Sequence, residues 1–356
     1  MTALALSASL LVATTGFASA APPAPATPYT FQSVADPADP TFTQLLGIND
    51  QQTIAGYYGS GQVVDGTLHP NKGFTLTLPN TFTSENYPTS AQTQVVAINN
   101  AGDTGGFYVD NTITGTTHGF LDVGGAFATV DDPAATFMFN QILGLNNKGQ
   151  AVGYYQDANN GAFHPYIYTY SNTNPGGGTF THLANSYPQL SNAQATGVND
   201  GGLVSGFYID ANNITHGYLL SAPSGGTLTT LDYPTTGVTV TQALGVNNAG
   251  QVVGQYVDPA GTTHGFLYQN GTYQSIDVSF AGATATTING INNAGQIVGF
   301  YTDANGNIVG FVGAPAGSGG GGGAATPELG SGELLGAGLL PLGLALLYRR
   351  RRARRA

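Results

Sequence analysis

The chain has no cysteine and no tryptophan among its 356 residues, and only 8% of its residues are charged. Without cysteine, neither a disulfide framework nor a cysteine-based metal or nucleophile site is possible. Glycine accounts for 53 residues, and threonine, asparagine, tyrosine and phenylalanine are plentiful. Because β-branched and aromatic residues favour strands while glycine and asparagine favour tight turns, the composition predicts an all-β protein.

Positive charge is concentrated at one end of the chain. Six of the eight basic residues are arginines in the range 349–355, and the other two are Lys72 and Lys148. When those arginines, Glu328 and Glu333 are set aside, two basic and 17 acidic residues remain, a net charge of −15. Such a body repels nucleic acid and anionic lipid, so no nucleic-acid partner is expected.

The first twenty residues have the features of a secretory signal peptide. An apolar stretch from Leu4 to Ala13 is followed by small residues, with Ala18 and Ala20 placed as in a signal cleavage site. A segment rich in proline and alanine follows at residues 21–28 and suits a tether. We therefore predict that residues 1–20 direct export and are removed.

The C-terminus has three parts that act together: a glycine-rich linker at residues 315–326, a Pro-Glu pair, and an uncharged run from Leu334 to Tyr348 that ends in arginines. A helix over that run would be about 22 Å long, shorter than the hydrocarbon core of about 30 Å, so it is a marginal membrane span. Arginines stay on the cytoplasmic side of a membrane, which leaves the preceding chain outside. The prediction is a helical tail at residues 327–356 that associates with the membrane.

This tail resembles the PEP-CTERM sorting signal, which consists of Pro-Glu-Pro, a short hydrophobic segment and a terminal arginine cluster. The matching residues are Pro327, Glu328, Arg349, Arg350, Arg351 and Arg352. Leu329 occupies the place of the second proline. The resemblance implies recognition and processing by an exosortase-like enzyme, followed by release to the cell surface or the extracellular space. The alternatives are a plain membrane anchor or a degenerate sorting signal.

The body of the chain repeats a tetrapeptide of Gly or Ala, an apolar residue, Asn, and Asn or Asp. It begins at Gly47, Ala97, Gly144, Gly197, Gly245 and Gly290. A period of 45 to 53 residues is typical of propellers, solenoids and repeat arrays. Each unit has room for four short strands separated by Asn/Gly and Asp turns, which is the size of a propeller blade.

The two ends of the body complement each other. The sixth unit has three predicted strands, the last at Ile308–Phe311, and then reaches the glycine linker without a fourth. Residues 30–34 match residues 272–276, the fourth strand of the fifth unit, position by position. We therefore predict a six-bladed β-propeller over residues 29–314 whose N-terminal strand completes the last blade and removes exposed sheet edges.

The Gly-Ile-Asn-Asn, Val-Gly-Phe-Tyr and His-Gly-Phe signatures of this body resemble bacterial extracellular repeats of the HAF type, which are named for a His-Ala-Phe tripeptide. The resemblance implies an exported repeat architecture. It carries no established catalytic residues.

Histidines and aspartates are the candidates for chemistry. The histidines that recur near one repeat position are His69, His118, His164, His216 and His264. Recurrence favours a packing or hydrogen-bonding role over catalysis, because a catalytic group needs surroundings unlike those of its neighbours, and a ring of metal ligands is the alternative. The aspartates after the second strands are Asp110, Asp157, Asp210, Asp258 and Asp303. They are predicted to cap turns, with weak calcium binding as the alternative and no cofactor otherwise.

The sequence therefore predicts no catalytic, cofactor or metal site, and a non-enzymatic binding or structural module at the cell surface or in the extracellular matrix. Polysaccharide or other surface proteins are its expected partners. The alternative is an enzyme acting on polysaccharide or lactone, with a site in irregular loops near Pro79–Ser90 and Tyr170–Gly178. Glu85 is the one glutamate of the body, and Asp131 and Asp132 are adjacent and expected to point to opposite faces of a strand.

Overall fold

A computed structural model describes residues 28–64, 66–112, 115–135, 139–156 and 161–316. The predicted signal cleavage at Ala18 and Ala20, the helical tail, and the sorting residues of the C-terminus lie outside the described residues. Within those described ranges, no helix is long and apolar enough to cross a membrane.

The described residues fold into strands and two short 3-10 helices, which confirms the all-β prediction. The strands of the first half are β1 (Tyr29–Val34), β2 (Thr43–Ile48), β3 (Thr53–Tyr58), β4 (Val63–Val64), β5 (Thr67–Leu68), β6 (Lys72–Thr77), β7 (Thr81–Ser84), β8 (Gln92–Ile98), β9 (Thr104–Val109), β10 (Thr117–Val123), β11 (Ala126–Val130), β12 (Asn140–Leu145) and β13 (Gln150–Gln156). The strands of the second half are β14 (Phe163–Ser171), β15 (Asn174–His182), β16 (Ala193–Val198), β17 (Val204–Ile209), β18 (Thr215–Leu220), β19 (Leu228–Leu231), β20 (Val240–Val246), β21 (Val252–Val257), β22 (Thr263–Gln269), β23 (Thr272–Ile276), β24 (Ala285–Ile291), β25 (Ile297–Thr302) and β26 (Ile308–Pro315). The 3-10 helices are Leu183–Asn185 and Pro188–Leu190.

Each of the first five repeats forms four antiparallel strands that follow one another in chain order, as in β8-β9-β10-β11 and β12-β13-β14-β15, whereas the sixth repeat contributes β24, β25 and β26 and its fourth strand is β1. The fourth and fifth repeats share one larger sheet, because a single parallel bridge joins β18 to β20. A segment of Asn, Asn or Asp, any residue and Gly makes the first turn of the second to sixth repeats, and Gln52 takes the place of the glycine in the first repeat with a φ of 64°. In the last repeat, Asn292 accepts hydrogen bonds from the backbone N–H groups of Ala294 and Gln296 at 3.1 and 3.0 Å, and Gly295 adopts a φ of 76°.

The first strand of every repeat contains a β-bulge just before the tetrapeptide glycine or alanine. The bulged residues, which have no partner in the strand register, are Leu46, Val96, Leu143, Thr196, Leu244 and Asn289. The glycine that follows the bulge lies against the neighbouring repeat: a Cβ atom on Gly245 would stand 2.7 Å from the Asn289 carbonyl oxygen and 3.4 Å from the Gly290 Cα. Glycine therefore lets these strands approach each other backbone to backbone.

Consecutive repeats are in contact through their first strands, in the order β2, β8, β12, β16, β20 and β24, and β24 also contacts β2. The N-terminal strand β1 pairs antiparallel with β26, with Tyr29 opposite Pro315 and Val34 opposite Gly310. This pairing is the one expected from the match between residues 30–34 and 272–276. The hydrophobic core lies between neighbouring sheets, and one of its clusters joins Val34 and Val312 of the last sheet to Leu45 of the first repeat.

Candidate functional site

The second polar residue of each tetrapeptide belongs to one cyclic hydrogen-bond network, here called the polar ring. Its members are Asp50, Asn100, Asn147, Asp200, Asn248 and Asn293. The backbone N–H of each member donates to the side-chain Oδ1 of the next at 2.7 to 2.9 Å. The sixth bond returns from the Asn293 N–H to Asp50 Oδ1 at 2.8 Å, although the two residues are 243 positions apart.

Two carboxylates divide the polar ring into halves, because Asp50 and Asp200 lie three repeats apart. Asp50 Oδ2 accepts from the side-chain amides of Asn100 and Asn293 at 2.7 and 2.8 Å. Asp200 Oδ2 accepts from Asn147 and Asn248 at 2.9 and 2.8 Å. Partial burial alone would raise the pKa of each aspartate, but these hydrogen bonds outweigh it and lower the pKa below the usual value. Both carboxylates are therefore charged at neutral pH.

The first asparagine of each tetrapeptide is buried beneath the polar ring, and in five of the six repeats its side-chain amide donates to a backbone carbonyl of the next repeat. Asn199 Nδ2 donates to the Asn247 carbonyl at 2.9 Å, and Asn292 Nδ2 donates to the Asn49 carbonyl at 3.2 Å. Together the two asparagine positions surround an open cavity of about 70 Å³. The polar groups of these two positions form hydrogen bonds with one another. These contacts between repeats explain why the tetrapeptide recurs in every repeat.

We expect the substitution Asp200→Asn to weaken the polar ring, because the new amide nitrogen would face the amides of Asn147 and Asn248. Loss of a charged acceptor that receives hydrogen bonds from two donors lowers the free energy of unfolding by about 1–3 kcal/mol. The variant Asn147→Ala removes one of those donors and also the acceptor of the Asn100 N–H, so it should weaken the polar ring at a second point. Denaturant titration at neutral pH measures both, and an Asp200→Asn midpoint equal to that of the unsubstituted protein would contradict the role assigned to the ring.

Three of the recurrent histidines hold equivalent positions, here called histidine clamps. His264 stacks on Tyr256 with ring centroids 5.1 Å apart, its Nδ1 lies 2.8 Å from Asp277 Oδ2, and its Nε2 lies 3.4 Å from Asp258 Oδ2. The other two clamps are His118 on Tyr108 between Asp131 and Asp110, and His216 on Tyr208 between Asp232 and Asp210. Each clamp joins the end of the fourth strand to the turn before the third.

The charge state of one clamp follows from its partners. Partial burial would lower the pKa of His264, but its hydrogen bonds and charge interactions with Asp277 and Asp258 raise the pKa above the usual value. The two carboxylates therefore favour the protonated imidazolium form of His264, which links the turn before the third strand to the end of the fourth strand.

The other histidines lie in less regular surroundings. His69 Nδ1 is 3.4 Å from Asp39 Oδ2, His164 stacks on Tyr155 at 4.9 Å, and His182 Nε2 is 2.7 Å from Asp132 Oδ2. In the part of the chain that the structure describes, no group of three or more His, Asp or Glu side chains has the geometry to hold a metal ion. The absence of a cofactor and the calcium alternative remain predictions.

The aspartates after the second strands cap their turns, as predicted. Asp258 Oδ1 accepts the backbone N–H groups of Ala260 and Thr262 at 2.9 and 2.8 Å. The same pattern occurs at Asp110, Asp210 and Asp303. Asp157 lies outside the described residues.

The adjacent acids Asp131 and Asp132 serve two different repeats. Asp131 Oδ2 lies 2.6 Å from Nδ1 of His118 in the second repeat, whereas the buried Asp132 bonds to His182 in the third. Successive side chains of an extended chain point to opposite faces, which is why the pair does not form a single acidic site.

The two segments expected to be irregular loops each contain strand residues, although residues 79–80 and 85–90 of the first segment are turns or irregular chain. Thr81–Ser84 forms β7, the outer strand of the first sheet, and most of the range Tyr170–Gly178 belongs to the long β14-β15 hairpin. These segments are more regular than expected, because threonine, tyrosine and phenylalanine in them extend the outer strands.

One acidic group near the first of these segments is distinctive. Glu85 accepts a hydrogen bond from the Thr104 hydroxyl. Burial raises its pKa to about 7, and the nearby charge of Asp122 adds to the increase. Burial also raises the pKa of Asp122, with a contribution from Asp103, and Asp122 Oδ1 is a buried atom with no hydrogen-bond partner. The sequence identified Glu85 only as the one glutamate of the body, because the residues around it, Thr104 and Asp122, belong to strands of the second repeat.

Comparison with known proteins finds solved structures of related shape and no matching protein family for this chain. Its sequence matches no protein family and has no significant similarity to a characterised protein. Solved structures with a related shape include virginiamycin B lyase from Staphylococcus aureus, which is 11% identical, with 80% of this chain and 99% of that chain covered and a TM-score of 0.41. A β-propeller domain of the Trilobed protease from Pyrococcus furiosus is 10% identical, with coverage of 76% and 93% and a TM-score of 0.44. The fucose-specific lectin from Aleuria aurantia is 12% identical, with coverage of 78% and 98% and a TM-score of 0.45. These similarities include an enzyme and a lectin, and none decides what this chain binds.

Proposed function

We propose that the body is a closed six-bladed β-propeller in which β1 supplies the fourth strand of the last blade. The cyclic polar ring supports this proposal, because a hydrogen bond from Asn293 to Asp50 requires the sixth repeat to meet the first. The contact of β24 with β2 and the pairing of β1 with β26 support it independently. Strand complementation of this kind leaves no open end between the terminal repeats.

We further propose that this propeller is an exported, non-enzymatic module that binds extracellular polysaccharide or surface proteins. In this proposal, residues 1–20 direct export and residues 327–356 deliver the chain to an exosortase-like enzyme after temporary membrane anchoring. The HAF-type repeats and the strongly acidic body fit a location outside the cell and no role with nucleic acid.

One observation carries the non-enzymatic part of the proposal. The three histidine clamps repeat the same contacts, with a tyrosine beneath the ring and a carboxylate at each ring nitrogen. A residue that makes the same contact in several blades stabilises the blade, whereas a catalytic residue needs a unique environment. The clamp histidines, which were candidates for catalysis or metal binding, therefore make structural contacts within their blades.

The proposal is tested on protein recovered from its own host. Intact mass should show loss of the N-terminal twenty residues and of the chain beyond about Pro327. The recovered body, coupled to beads, should enrich polysaccharide or surface proteins from the host matrix over a charge-matched acidic control protein. An uncut arginine tail in the inner membrane would contradict sorting, and equal capture by the control would contradict binding.

A second candidate function rests on Glu85. A carboxylic acid with a pKa of about 7 beside a second carboxyl group, that of Asp122, has the protonation state of a general acid in sugar hydrolysis. Turnover of polysaccharide or lactone substrates that Glu85→Gln abolishes and Asp303→Asn leaves intact would favour an enzyme. Absence of turnover across those substrates would leave the binding module as the function.

A further inference from the structure

A second cavity, of about 40 Å³, lies where the six bulged residues meet, and Gln94 and Phe107 complete its wall. Four of the bulged residues are leucine or valine, so most of the wall is apolar. Each bulge adds one residue to its strand and turns that side chain out of the sheet register. We call this space the axial cavity.

Gln94 presents an unsatisfied acceptor at the axial cavity. Its side chain is 3% exposed, and its Oε1 is buried with no hydrogen-bond partner. The orientation of the amide is fixed by Asn71: Asn71 Nδ2 donates to the Gly59 carbonyl at 2.6 Å, which leaves Asn71 Oδ1 to accept from Gln94 Nε2 at 2.9 Å. Exchanging the nitrogen and oxygen of Gln94 would break that bond, so the oxygen is the atom without a partner.

Comparison between repeats explains the missing donor. In the first repeat, the hydroxyl of Tyr57 donates to Gln44 Oε1 at 2.9 Å, and in the third, Tyr154 donates to Gln141 Oε1 at 2.8 Å. Phe107 is the cross-strand partner of Gln94 in the second repeat and has no hydroxyl. The substitution of phenylalanine at this position removes one donor and the volume of one oxygen atom.

A second acceptor comes from the sixth repeat. Asn289 occupies the bulge position that is leucine in three other repeats, and its Oδ1 is buried without a hydrogen-bond partner. Thr196, the other polar bulged residue, already donates its hydroxyl to the Ala243 carbonyl at 2.8 Å. Gln94 and Asn289 are thus the two groups of this wall that still need a donor.

We propose that the axial cavity is a binding site for ordered water, held by Gln94 Oε1 and Asn289 Oδ1. A buried acceptor without any hydrogen-bond donor destabilises the fold. A buried water needs a cavity of only about 10–15 Å³, so the axial cavity has room for one or more waters. The two acceptors are neutral, and two oxygens are too few for a cation that prefers six or more. A small neutral donor therefore fits the wall better than an ion.

The test is a crystal structure of the full chain with ordered solvent, together with the variant Phe107→Tyr. In the unsubstituted protein we expect density within hydrogen-bond distance of Gln94 Oε1 or Asn289 Oδ1. In Phe107→Tyr the new hydroxyl should take the place of the water at Gln94, as the tyrosines do in the first and third repeats. The melting temperature should rise by about 1–4 °C, the change expected when one buried acceptor gains a protein donor.

A matched control comes from the fourth repeat, where Phe207 lies opposite Gln194 and Gln194 Oε1 is also buried without a partner. Gln194 does not line the axial cavity, so Phe207→Tyr should leave the cavity density unchanged. An empty cavity in the unsubstituted protein would overturn the proposal, as would density at Gln94 that persists unchanged in Phe107→Tyr.

Discussion

Removal of residues 28–34 should abolish cooperative folding or lower the free energy of unfolding by about 5 kcal/mol or more. Strand β1 pairs with β26 over six residues, buries Val34, and packs Phe31 edge-on against Phe311 at 5.7 Å. Full burial of one large apolar side chain contributes about 1.5–3 kcal/mol, and the total stability of a domain is only about 5–15 kcal/mol. The truncated chain would also expose the edge of β26 and should aggregate. Circular dichroism melting and size-exclusion chromatography measure both effects.

A permuted chain is the control for this deletion. Residues 35–316 followed by a short glycine turn and residues 28–34 would keep every strand while moving β1 to the other terminus. The geometry suits a hairpin, because the Ala316 N–H donates to the Pro28 carbonyl at 2.8 Å. The permutant should recover the melting temperature of the unsubstituted body. A truncated chain as stable as the permutant would show that β1 is dispensable and would contradict the proposed closure.

The substitution Glu85→Gln should stabilise the protein at alkaline pH by about 2–3 kcal/mol and have little effect at acidic pH. The folded-state pKa of Glu85 is raised to about 7 by burial, so the protonated side chain is the form that the fold accepts. Stability linked to this group is fully present below the ordinary glutamate pKa of 4.5 and is lost as pH rises to about 7. Glutamine is neutral throughout and can still accept the hydrogen bond from Thr104.

Urea unfolding at several pH values between 4 and 9 measures this difference. The control is Asp303→Asn, at an aspartate that caps an exposed turn in the sixth repeat and has no part in the group around Glu85. Its effect should not follow the same pH dependence. If Glu85→Gln and the unsubstituted protein lose stability in parallel from pH 4.5 to 7, burial of a charged Glu85 is not the cause of the loss.

The sequence by itself determined the β class, the repeat and the turns. Asn292-Asn293-Ala294-Gly295 predicts its turn because asparagine and glycine tolerate the required backbone and the asparagine side chain caps its own loop. The match of residues 30–34 to 272–276 likewise identified the strand that pairs with β26. These features are readable because each depends on residues adjacent in the chain or repeated at a fixed period.

Only the tertiary structure decided which polar groups are satisfied and which are not. The polar ring depends on Asp50 meeting Asn293. The raised pKa of Glu85 depends on its burial and, to a smaller extent, on the charge of Asp122. The unpartnered oxygen of Gln94 lies at the place where the six bulged residues meet. Hydrogen bonding and desolvation depend on distance and local dielectric, and both are set by neighbours that lie one or more repeats away in sequence.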